Sequence, residues 1–311
     1  MPESHSPKIA VVGSINMDLV IQCHELPLPG QTVTGLGSYE ICGGKGANQA
    51  VAAAKAGGAV WMIGRIGDDA FSIRLRNELM QHGVNCGCVV GTADCASGLA
   101  VVSVESSGKN AIMVVPNANG RLTEQDVLDN RQFIEQCDVL LLQLEVPIPT
   151  VLAAIDVARS YGVPIILDPA PVPALWDDKL LDVDLVCPNE FEASMITGLS
   201  TRTPEEVVAA ARELHRRGSK QVAITLGERG TLLFDQRGQR WVDPFSVEVV
   251  DTTAAGDAFA GALAVFWGCT KELDRSARLA NAAGALATTR LGAQQSMANR
   301  DQIISLAGSL T

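Results

Sequence analysis

The chain has 311 residues, of which 47% are hydrophobic and 19% are charged, and its formal net charge is −11. This composition is typical of a globular protein and excludes a disordered one. The acidic balance excludes nucleic acid as the main partner, because phosphate backbones are bound chiefly through Lys and Arg.

Short apolar runs alternate with longer helical patterns along the chain. The predicted strands are Lys8–Gly13, Ala59–Ile66, Val139–Leu144, Pro164–Asp168, Asp184–Cys187, Lys220–Leu226 and Val247–Val250. The predicted helices are Gly46–Ala56, Asp69–His82, Pro149–Tyr161, Pro204–Arg216, an apolar helix that runs through Phe266, and Asp274–Thr289. This alternation predicts an α/β fold with a doubly wound, mostly parallel sheet flanked by helices, whose ligands bind at the edge that follows the strands.

Two stretches break the alternation, because neither contains a helical pattern. Leu19–Cys42 ends in an alternating run, and Gly98–Val115 alternates as a hairpin around Ser106–Asn110. Neither can extend the parallel sheet, so we expect a small β-sheet lid, formed by about 17–42 and 97–117, on a single domain of residues 1–311. The alternative is a pair of surface hairpins without a gating role.

The termini and the cysteines bear on the compartment. Met1–Pro7 lacks the features of a signal peptide, and the longest apolar run, Ala258–Cys269, is shorter than the ~20 residues of a membrane helix. The eight cysteines therefore predict reduced thiols in a cytoplasmic protein with no membrane contact. The group His82, Cys86, Cys88 and Cys95 has loose metal-ligand spacing, and buried thiols in a strand are the preferred interpretation.

The first candidate motif is Gly43-Gly44-Lys45-Gly46-Ala47-Asn48-Gln49-Ala50, where a loop enters a predicted helix. Glycines at such a junction let the backbone approach a ligand closely. The spacing matches neither the GxxxxGK[ST] nor the GxGxxG phosphate-binding pattern. A tight turn before a helix explains the glycines equally well, so this motif alone leaves both interpretations open.

The second motif is Asp251-Thr252-Thr253-Ala254-Ala255-Gly256-Asp257, which leads into an apolar helix. Its small residues predict exposed amides at a helix N-terminus, a favourable site for an anion such as phosphate. Asp257 in the first turn either interacts with the helix dipole, which is worth ~0.3–1 kcal/mol, or acts as a base beside a transferring phosphoryl group. An amide site of this kind is local, so the acidic net charge does not exclude a polyphosphate ligand.

Together the two motifs resemble the signatures of the ribokinase-type (pfkB) carbohydrate kinases. The resemblance covers essentially the whole chain, through Val12–Asp18, Asn189–Glu192, Thr225–Gly230 and Gly292–Gln294. It implies a doubly wound α/β domain with a β lid. The implied activity is ATP-dependent phosphorylation of D-ribose at its primary O5 hydroxyl, giving ribose 5-phosphate and ADP.

The resemblance also implies a role for individual residues. The implied sugar-binding residues are Asn16, Asp18, Gly44, Lys45, Gly46, Asn48, Glu145 and Asp257. Asp257 would accept the proton of the attacking hydroxyl as general base, with the amides of Ala255 and Gly256 as the anion hole. Glu145 lies just past a predicted strand, and without the other implied sugar-binding residues it would be interpreted as an ordinary surface acid.

On the nucleotide side, the implied residues are Asn189, Glu192, Thr225, Gly227, Gly230, Gly256 and Asn281. Asn189 and Glu192 would lie near Mg²⁺ and the phosphates, and their spacing also fits a capping box, so both roles are compatible. The implied potassium site consists of Asp251, Thr253, Ala287, Arg290, Gly292 and Ser296, several of them through carbonyl oxygens. An exposed lid edge that pairs with a second lid predicts a homodimer.

Other functions stay open from the sequence. Related kinases act on deoxyribose, fructose, keto-deoxy sugar acids or nucleosides, and the last two would need an extra Arg or an aromatic wall that this chain does not obviously supply. A non-catalytic sensor of sugar or nucleotide would be expected to lose Asp257 or the glycine turn, and both are present. A nicotinamide-dependent enzyme would need GxGxxG after the first strand, and Gly13–Asp18 does not supply it.

Overall fold

The structure, a computed structural model, describes residues 6–107 and 109–308. Its strands are β1 (Lys8–Val12), β2 (Asn16–Cys23), β3 (Gly35–Gly43), β4 (Ala59–Ile66), β5 (Val84–Gly91), β6 (Gly98–Glu105), β7 (Asn110–Val115), β8 (Val139–Leu142), β9 (Ile165–Leu167), β10 (Leu185–Val186), β11 (Gln221–Thr225), β12 (Thr231–Asp235) and β13 (Gly238–Val242). Its α-helices are α1 (Lys45–Lys55), α2 (Ser72–Gln81), α3 (Glu124–Asp129), α4 (Arg131–Glu135), α5 (Ile148–Tyr161), α6 (Glu190–Thr197), α7 (Pro204–Arg216), α8 (Ala255–Thr270), α9 (Leu273–Ala287) and α10 (Arg300–Gly308).

The main sheet of the described chain has nine strands in the order β13-β12-β11-β10-β9-β8-β1-β4-β5. The strands from β11 to β5 are parallel, and β12 and β13 are added antiparallel at one edge. The strand order reverses on either side of β1, which is the position where open α/β sheets bind ligands. The predicted fold class is therefore confirmed, including the small separate sheet.

Two apolar layers cover the main sheet, one on each face. In β1, Ile9 and Val11 pack into the layer that contains α1, α8 and α9, whereas Ala10 and Val12 pack into the layer of α5 and α7. Helix α8 is buried from Asp257 to Trp267 and packs against both α1 and α9. Its apolar surroundings on every side explain its continuous apolar sequence.

The second sheet has the order β3-β2-β6-β7. Strand β2 pairs antiparallel with β3 and parallel with β6, and β7 pairs antiparallel with β6. All six residues of β7 are exposed, so no other element of the described chain covers either face of this edge strand.

The predicted strand Val247–Val250 is wrong, because residues 243–249 form no regular element. The Val250 amide donates to the Thr288 carbonyl oxygen, at the end of α9, instead of joining the sheet. Val249 and Val250 are exposed, so their β-branched side chains do not mark a buried strand here. Within the described residues, no helix has the length and apolar character needed to cross a membrane.

Candidate active site

The glycines of the first motif are needed for contact between chain segments. Gly44 has φ +90°, and a Cβ there would lie 2.7 Å from the Asn16 amide nitrogen. A Cβ on Gly46 would lie 2.6 Å from the Ser14 nitrogen. The loop before α1 therefore packs directly on residues 13–16, which run from the end of β1 to the start of β2.

Glu145 joins this loop to the end of β8. One of its oxygens, Oε2, accepts from the Ser14 hydroxyl at 2.5 Å and from the Lys45 amide at 3.1 Å. The Ser14 hydroxyl also accepts from the Gly46 amide at 3.3 Å. Glu145 is thus a fixed part of the loop rather than a free surface acid.

Asp18 on β2 presents an unused acceptor to the same region. Its Oδ1 is buried and has no hydrogen-bond partner among residues 6–107 and 109–308. Burial raises the pKa of Asp18 to about 7, and the negative charges of Glu145 and Asp257 add to the effect. A carboxylate in this state can accept a hydrogen bond from a ligand hydroxyl.

The neighbouring Asn16 has its orientation fixed by Asn119, which the sequence reasoning missed. The Asn119 amide donates to Asn16 Oδ1 at 2.6 Å and to the Ile15 carbonyl oxygen at 3.2 Å. A Cβ on Gly98 would lie 2.2 Å from Asn16 Oδ1, so the glycine leaves room for this contact. The donor group of the Asn16 side chain is thereby directed away from Asn119.

Lys45 links two buried carboxylates. Its Nζ lies 3.4 Å from Asp168 Oδ2 and 3.6 Å from Asp257 Oδ1. Burial by itself lowers the pKa of Lys45, but the surrounding carboxylates, led by Asp168 and Asp257, outweigh it and hold the pKa well above its ordinary value. Burial also raises the pKa of Asp168 to about 7, against the opposing effect of Lys45. The pKa values of Lys45 and Asp168 are thus both raised, because Lys45 is surrounded by more than one carboxylate.

Asp257 lies in the first turn of α8 and is buried. Its Oδ2 accepts from Asn48 Nδ2 at 3.0 Å, and its Oδ1 accepts from Gln49 Nε2 at 3.1 Å. Two amide donors and the Lys45 ammonium therefore surround this carboxylate. The structure brings Asp257 and Asn48, which are 209 positions apart, into direct contact.

The start of α8 has the geometry of an anion site. Ala254 precedes the helix with φ +58°, a left-handed conformation that is uncommon outside glycine, and no side chain caps the helix. A Cβ built on Gly256 would meet no atom within 4 Å. The helix thus begins beside open space at Gly256, next to Asp257, whereas the Ala255 amide donates to the Thr252 carbonyl oxygen at 3.3 Å.

The predicted nucleotide residues lie along the adjoining strand ends. Asn189 and Glu192 form the predicted capping box of α6, with the Glu192 amide donating to Asn189 Oδ1 at 2.8 Å and the Asn189 amide donating to Glu192 Oε2 at 2.8 Å. Asn189 also forms a parallel bridge with Thr225 at the end of β11. Gly227 and Gly230 follow with φ +57° and +82°.

Asn281 on α9 has internal partners. Its Oδ1 accepts from the Thr231 hydroxyl at 2.6 Å, and its Nδ2 donates to the carbonyl oxygens of Val242 and Asp243 at 3.3 and 3.2 Å. These bonds tie α9 to β12 and β13. In this structure the side chain therefore shapes the border of the region near Gly230, whose Cβ would lie 2.2 Å from the Val242 carbonyl oxygen.

The residues expected to hold potassium come from two segments that meet. Asp251 Oδ1 accepts from the Thr253 amide and hydroxyl at 2.9 and 2.6 Å, and Asp251 Oδ2 accepts from the Gly292 amide at 2.9 Å. The Ser296 hydroxyl donates to the Ala293 carbonyl oxygen at 2.7 Å. The remaining two members, Ala287 and Arg290, lie at the end of α9 and just after it.

Besides Asn119, three buried residues of the site were not predicted from the sequence: Asp168, Gln49 and Gln143. Gln49 Nε2 donates to Asp168 Oδ2 at 2.7 Å, and Gln143 Nε2 donates to Gln49 Oε1 at 2.6 Å. Asp168 directly follows β9, so its position at the ligand-binding edge of the sheet was the available signal. Gln143 was visible as a polar residue inside the predicted strand Val139–Leu144.

The cysteines of the loose group lie away from this region. Cys86 and Cys88 are buried on β5, and the Cys86 thiol contacts the Val84 carbonyl oxygen. His82 Nε2 pairs with Glu78 at 3.3 Å. Among the described residues, no group of three or more His, Cys, Asp and Glu side chains could hold a metal ion.

A cavity of about 420 Å³ opens beside Glu145, between the second sheet and the loops after β8 and β9. It is lined by Val114, Pro116, Gly120, Leu144, Glu145, Val146, Pro147, Ile148, Pro171, Val172 and Pro173. A second cavity of about 470 Å³ lies near the start of β11 and α9, where Gln221, Lys271 and Asp274 are among its lining residues. Of the carboxylates described above, Glu145 lines the first cavity, and none of them lines the second.

Comparison with known proteins connects this geometry to one group of enzymes. The model of the family described as pfkB family carbohydrate kinase matches residues 6–300. The ribokinase of Haemophilus influenzae is 37% identical over 297 residues, which cover 95% of this chain and 97% of that protein. The deoxyribokinase of Salmonella typhi is 34% identical over 295 residues, with 94% and 96% covered.

A solved structure shows the same likeness in three dimensions. Arabidopsis thaliana ribokinase, complexed with ribose and ATP, matches with a TM-score of 0.90 at 34% identity. The match covers 97% of this chain and 99% of that one.

Proposed function

Because this chain belongs to the pfkB family of carbohydrate kinases, we propose that it transfers the γ-phosphoryl group of ATP to the primary O5 hydroxyl of D-ribose, giving ribose 5-phosphate and ADP. The observation that carries the proposal is the buried Asp257 carboxylate at the start of α8, held by Asn48, Gln49 and Lys45 beside an uncapped helix N-terminus. It combines a base with an anion site. The ribose complex of the Arabidopsis relative favours this sugar.

The proposed sugar site lies between β2 and the loop before α1. Asn16, Asp18, Lys45, Asn48 and Glu145 supply donors and acceptors, and Gly44 and Gly46 let the loop approach closely. Asp18 Oδ1, which has no partner within the described residues, fits a sugar hydroxyl. A buried hydroxyl that found no partner would cost ~1–3 kcal/mol, so such groups select for a polyol.

In the proposed reaction, Asp257 accepts the proton of the O5 hydroxyl while that oxygen forms its bond to the γ-phosphorus. The bond from the γ-phosphorus to the β–γ bridging oxygen breaks, and this oxygen leaves with ADP. The amides of Ala255 and Gly256 stabilise the charge on the transferred group. General-base help of this kind is worth ~10²–10⁴ in rate.

The nucleotide is proposed to lie along Asn189, Thr225, Gly227, Gly230 and Gly256, with Asn281 at its border. Two glycines there have positive φ, which leaves backbone groups uncovered by side chains. Most of this border consists of main chain and small side chains, so recognition of ATP would rest on shape and amide donors more than on charge.

Two cations fit the donors present. Glu192, whose two oxygens accept from the backbone amide and the side-chain amide of Asn189, would hold Mg²⁺ through water near the phosphates, where the ion neutralises phosphate charge. Since Mg²⁺ asks for few protein carboxylates, this agrees with the lack of a larger ligand cluster among the described residues. The segments around Asp251 and Gly292, which also include Thr253, Ala287, Arg290 and Ser296, would hold K⁺ largely through carbonyl oxygens and support the anion site.

The second sheet is proposed to act as a lid and as the contact between two copies of the chain. Its exposed apolar side chains include Leu36, Tyr39, Ile112, Met113 and Val114. Such a surface on an unpaired edge strand favours pairing with a second lid. Sedimentation velocity would measure the resulting homodimer. All eight cysteines lie in the described ranges and are free thiols, which favours a cytoplasmic location.

The test is ADP release with a panel of pentoses, 2-deoxyribose, hexoses, sugar acids and nucleosides, first in K⁺ and then in Na⁺. We expect the highest kcat/KM with ribose and a clear preference for K⁺. If 2-deoxyribose or another acceptor exceeds ribose, the proposed substrate is wrong while the kinase assignment stands. Binding of ATP without turnover of any acceptor would overturn the proposed activity.

A further inference from the structure

Two pairs of buried amide side chains surround Asp257. In the first pair, Gln143 donates from Nε2 to Gln49 Oε1 at 2.6 Å. Gln49 Nε2 then donates to Asp257 Oδ1 at 3.1 Å and to Asp168 Oδ2 at 2.7 Å. Gln49 and Gln143 are completely buried, so neither is in contact with solvent.

The second pair has the same design on the other carboxylate oxygen. Gln294 Nε2 donates to Asn48 Oδ1 at 3.3 Å, and Asn48 Nδ2 donates to Asp257 Oδ2 at 3.0 Å. Gln294 is 1% exposed. Each oxygen of Asp257 is therefore served by an inner amide whose own oxygen is held by an outer glutamine.

The outer glutamines determine which way the inner amides face. An amide that rotates by 180° exchanges its oxygen and its NH₂ group. If Gln49 rotated, its oxygen would face Asp257, and its NH₂ would face the NH₂ of Gln143. The donor from Gln143 opposes that rotation, and the donor from Gln294 opposes the same rotation in Asn48.

Stability alone does not explain the two outer glutamines. Oε1 of Gln143 and Oε1 of Gln294 are buried without a hydrogen-bond partner among residues 6–107 and 109–308. An unpaired buried acceptor costs ~1–3 kcal/mol, which an apolar side chain would avoid. Gly13 makes room for this arrangement, since a Cβ there would lie 2.1 Å from Gln143 Oε1.

We propose that Gln143 and Gln294 are positioning residues for phosphoryl transfer, which act through Gln49 and Asn48 to fix the orientation and charge of the Asp257 carboxylate. The inference rests on the proposed role of Asp257 as general base. Because the outer glutamines are buried, they act without touching the sugar or ATP.

The first test compares Gln143→Leu, which removes the donor at similar volume, with the wild type. We expect kcat to fall by about tenfold, part of the ~10²–10⁴ supplied by a general base, with KM for sugar and ATP within about twofold. The acid limb of the pH–rate profile should move to higher pH, because Gln49, without the donor of Gln143, is no longer held with its NH₂ group toward the Asp257 carboxylate. The charged groups that face Asp257 are Lys45, Asp18 and Asp168, and all three remain in the variant.

A matched control is Gln221→Leu. Gln221 Oε1 is also buried without a partner in the described chain, but it lies at the start of β11, away from Asp257. Its replacement should leave kcat and the pH profile unchanged. In an Asp257→Asn background, Gln143→Leu should have no further effect on the single-turnover rate. Equal losses with and without Asp257, or an unshifted pH profile, would overturn the proposal.

A measurement without substrate separates this inference from the proposed function. The side-chain NH₂ of Gln49, assigned by its loss in Gln49→Leu, is observed in the ¹H–¹⁵N spectrum of the free protein. We expect its resonance to move in Asp257→Asn and its hydrogen exchange to accelerate in Gln143→Leu. An unchanged exchange rate would refute the positioning of Gln49 by Gln143, whatever the sugar specificity of the enzyme. If Gln143→Leu does not fold, the same comparison uses Gln294→Leu and the Asn48 side-chain amide.

Discussion

A Cβ atom at position 43 would lie 2.2 Å from Oδ2 of Asp18. Gly43 is the last residue of β3 and pairs with Asn16 at the start of β2, so the two strands bring this backbone directly onto the carboxylate. The absence of a side chain at Gly43 therefore sets where Asp18 can point.

The first prediction concerns Gly43→Ala. The added methyl group should displace the Asp18 carboxylate and raise KM for the sugar by about 10–100-fold, the equivalent of one charged hydrogen bond of ~1.5–3 kcal/mol. KM for ATP should stay the same. Initial rates over a range of sugar concentrations measure both constants. The control is Gly37→Ala on the same strand, whose Cβ would lie 3.7 Å from the nearest atom; if both variants raise KM equally, the contact with Asp18 is not the cause.

The second prediction concerns Asp257→Asn. Loss of the base should reduce kcat by ~10²–10⁴, whereas calorimetry should show sugar affinity within a few-fold of the wild type. The amide is close in size, and Asn48 can still donate to one of its atoms. Asp156→Asn, an exposed change on α5, serves as control. Turnover retained within about twofold would contradict the assignment of the base.

The third prediction concerns stability against pH in Asp18→Asn. The pKa of Asp18 is raised from 3.8 to about 7 by burial and then by the charges of Glu145 and Asp257. The folded protein therefore keeps a proton that the unfolded chain releases, so the contribution of Asp18 to stability falls as the pH rises from about 4 through 7. Asparagine has no such penalty.

At about pH 8, Asp18→Asn should consequently be more stable than the wild type by on the order of a few kcal/mol in free energy of unfolding, and its unfolding temperature should be higher. The difference should vanish near pH 4. KM for the sugar should rise in the same variant. Thermal unfolding at several pH values measures the first effect. An equal stability difference between Asp18→Asn and the wild type at pH 4 and at pH 8 would show that packing, rather than charge, is responsible.

The fourth prediction concerns Asp251→Asn. The Asp251 carboxylate accepts from the Gly292 amide at 2.9 Å through Oδ2 and from the Thr253 amide through Oδ1. In asparagine one of these oxygens becomes an NH₂ group. In one rotamer this NH₂ faces the Gly292 amide, and in the other it faces Thr253, so one of the two hydrogen bonds is lost in either case. A loss of ~1.5–3 kcal/mol at this junction should raise the K⁺ concentration for half-maximal activity by about tenfold or more. Rates measured against K⁺ at constant ionic strength test this. Asp301→Asn on α10 should leave the K⁺ dependence unchanged, and a wild-type response in Asp251→Asn would reject the site.

Helices and strands could be predicted from the sequence where the apolar pattern and the residues at their ends indicate the same element. Helix α7 begins and ends as predicted, at Pro204 and Arg216, because Thr203 and Glu206 form a capping box and proline occupies the first turn. Strand β4 also has its predicted bounds, Ala59–Ile66. Val247–Val250 failed because β-branched residues show propensity alone, whereas the antiparallel pair β12–β13 had already completed that edge of the sheet.

The meeting of Asn48 and Asp257 could be expected from the sequence, because both residues belong to short motifs. Gln143 and Asp168 belong to none, and Gln49 lies in the first motif. The contacts of all three depend on strands and helices that meet only in the folded chain. A single buried amide has no periodic or spacing signal. Asn189 illustrates a second limit, since one spacing fits both the helix cap that the structure shows and the phosphate-side role that we propose.

The contact between Asn48 and Asp257 closes a loop of 209 residues. Contacts of such sequence separation require the end of the chain to have been synthesised and to have docked on its beginning. Helix α8 can place its carboxylate only after it has packed on α1, where a Cβ on Gly261 would lie 2.5 Å from the Gln49 carbonyl oxygen. Turnover therefore reports completed folding: a refolding chain should regain its strands and helices before it regains activity.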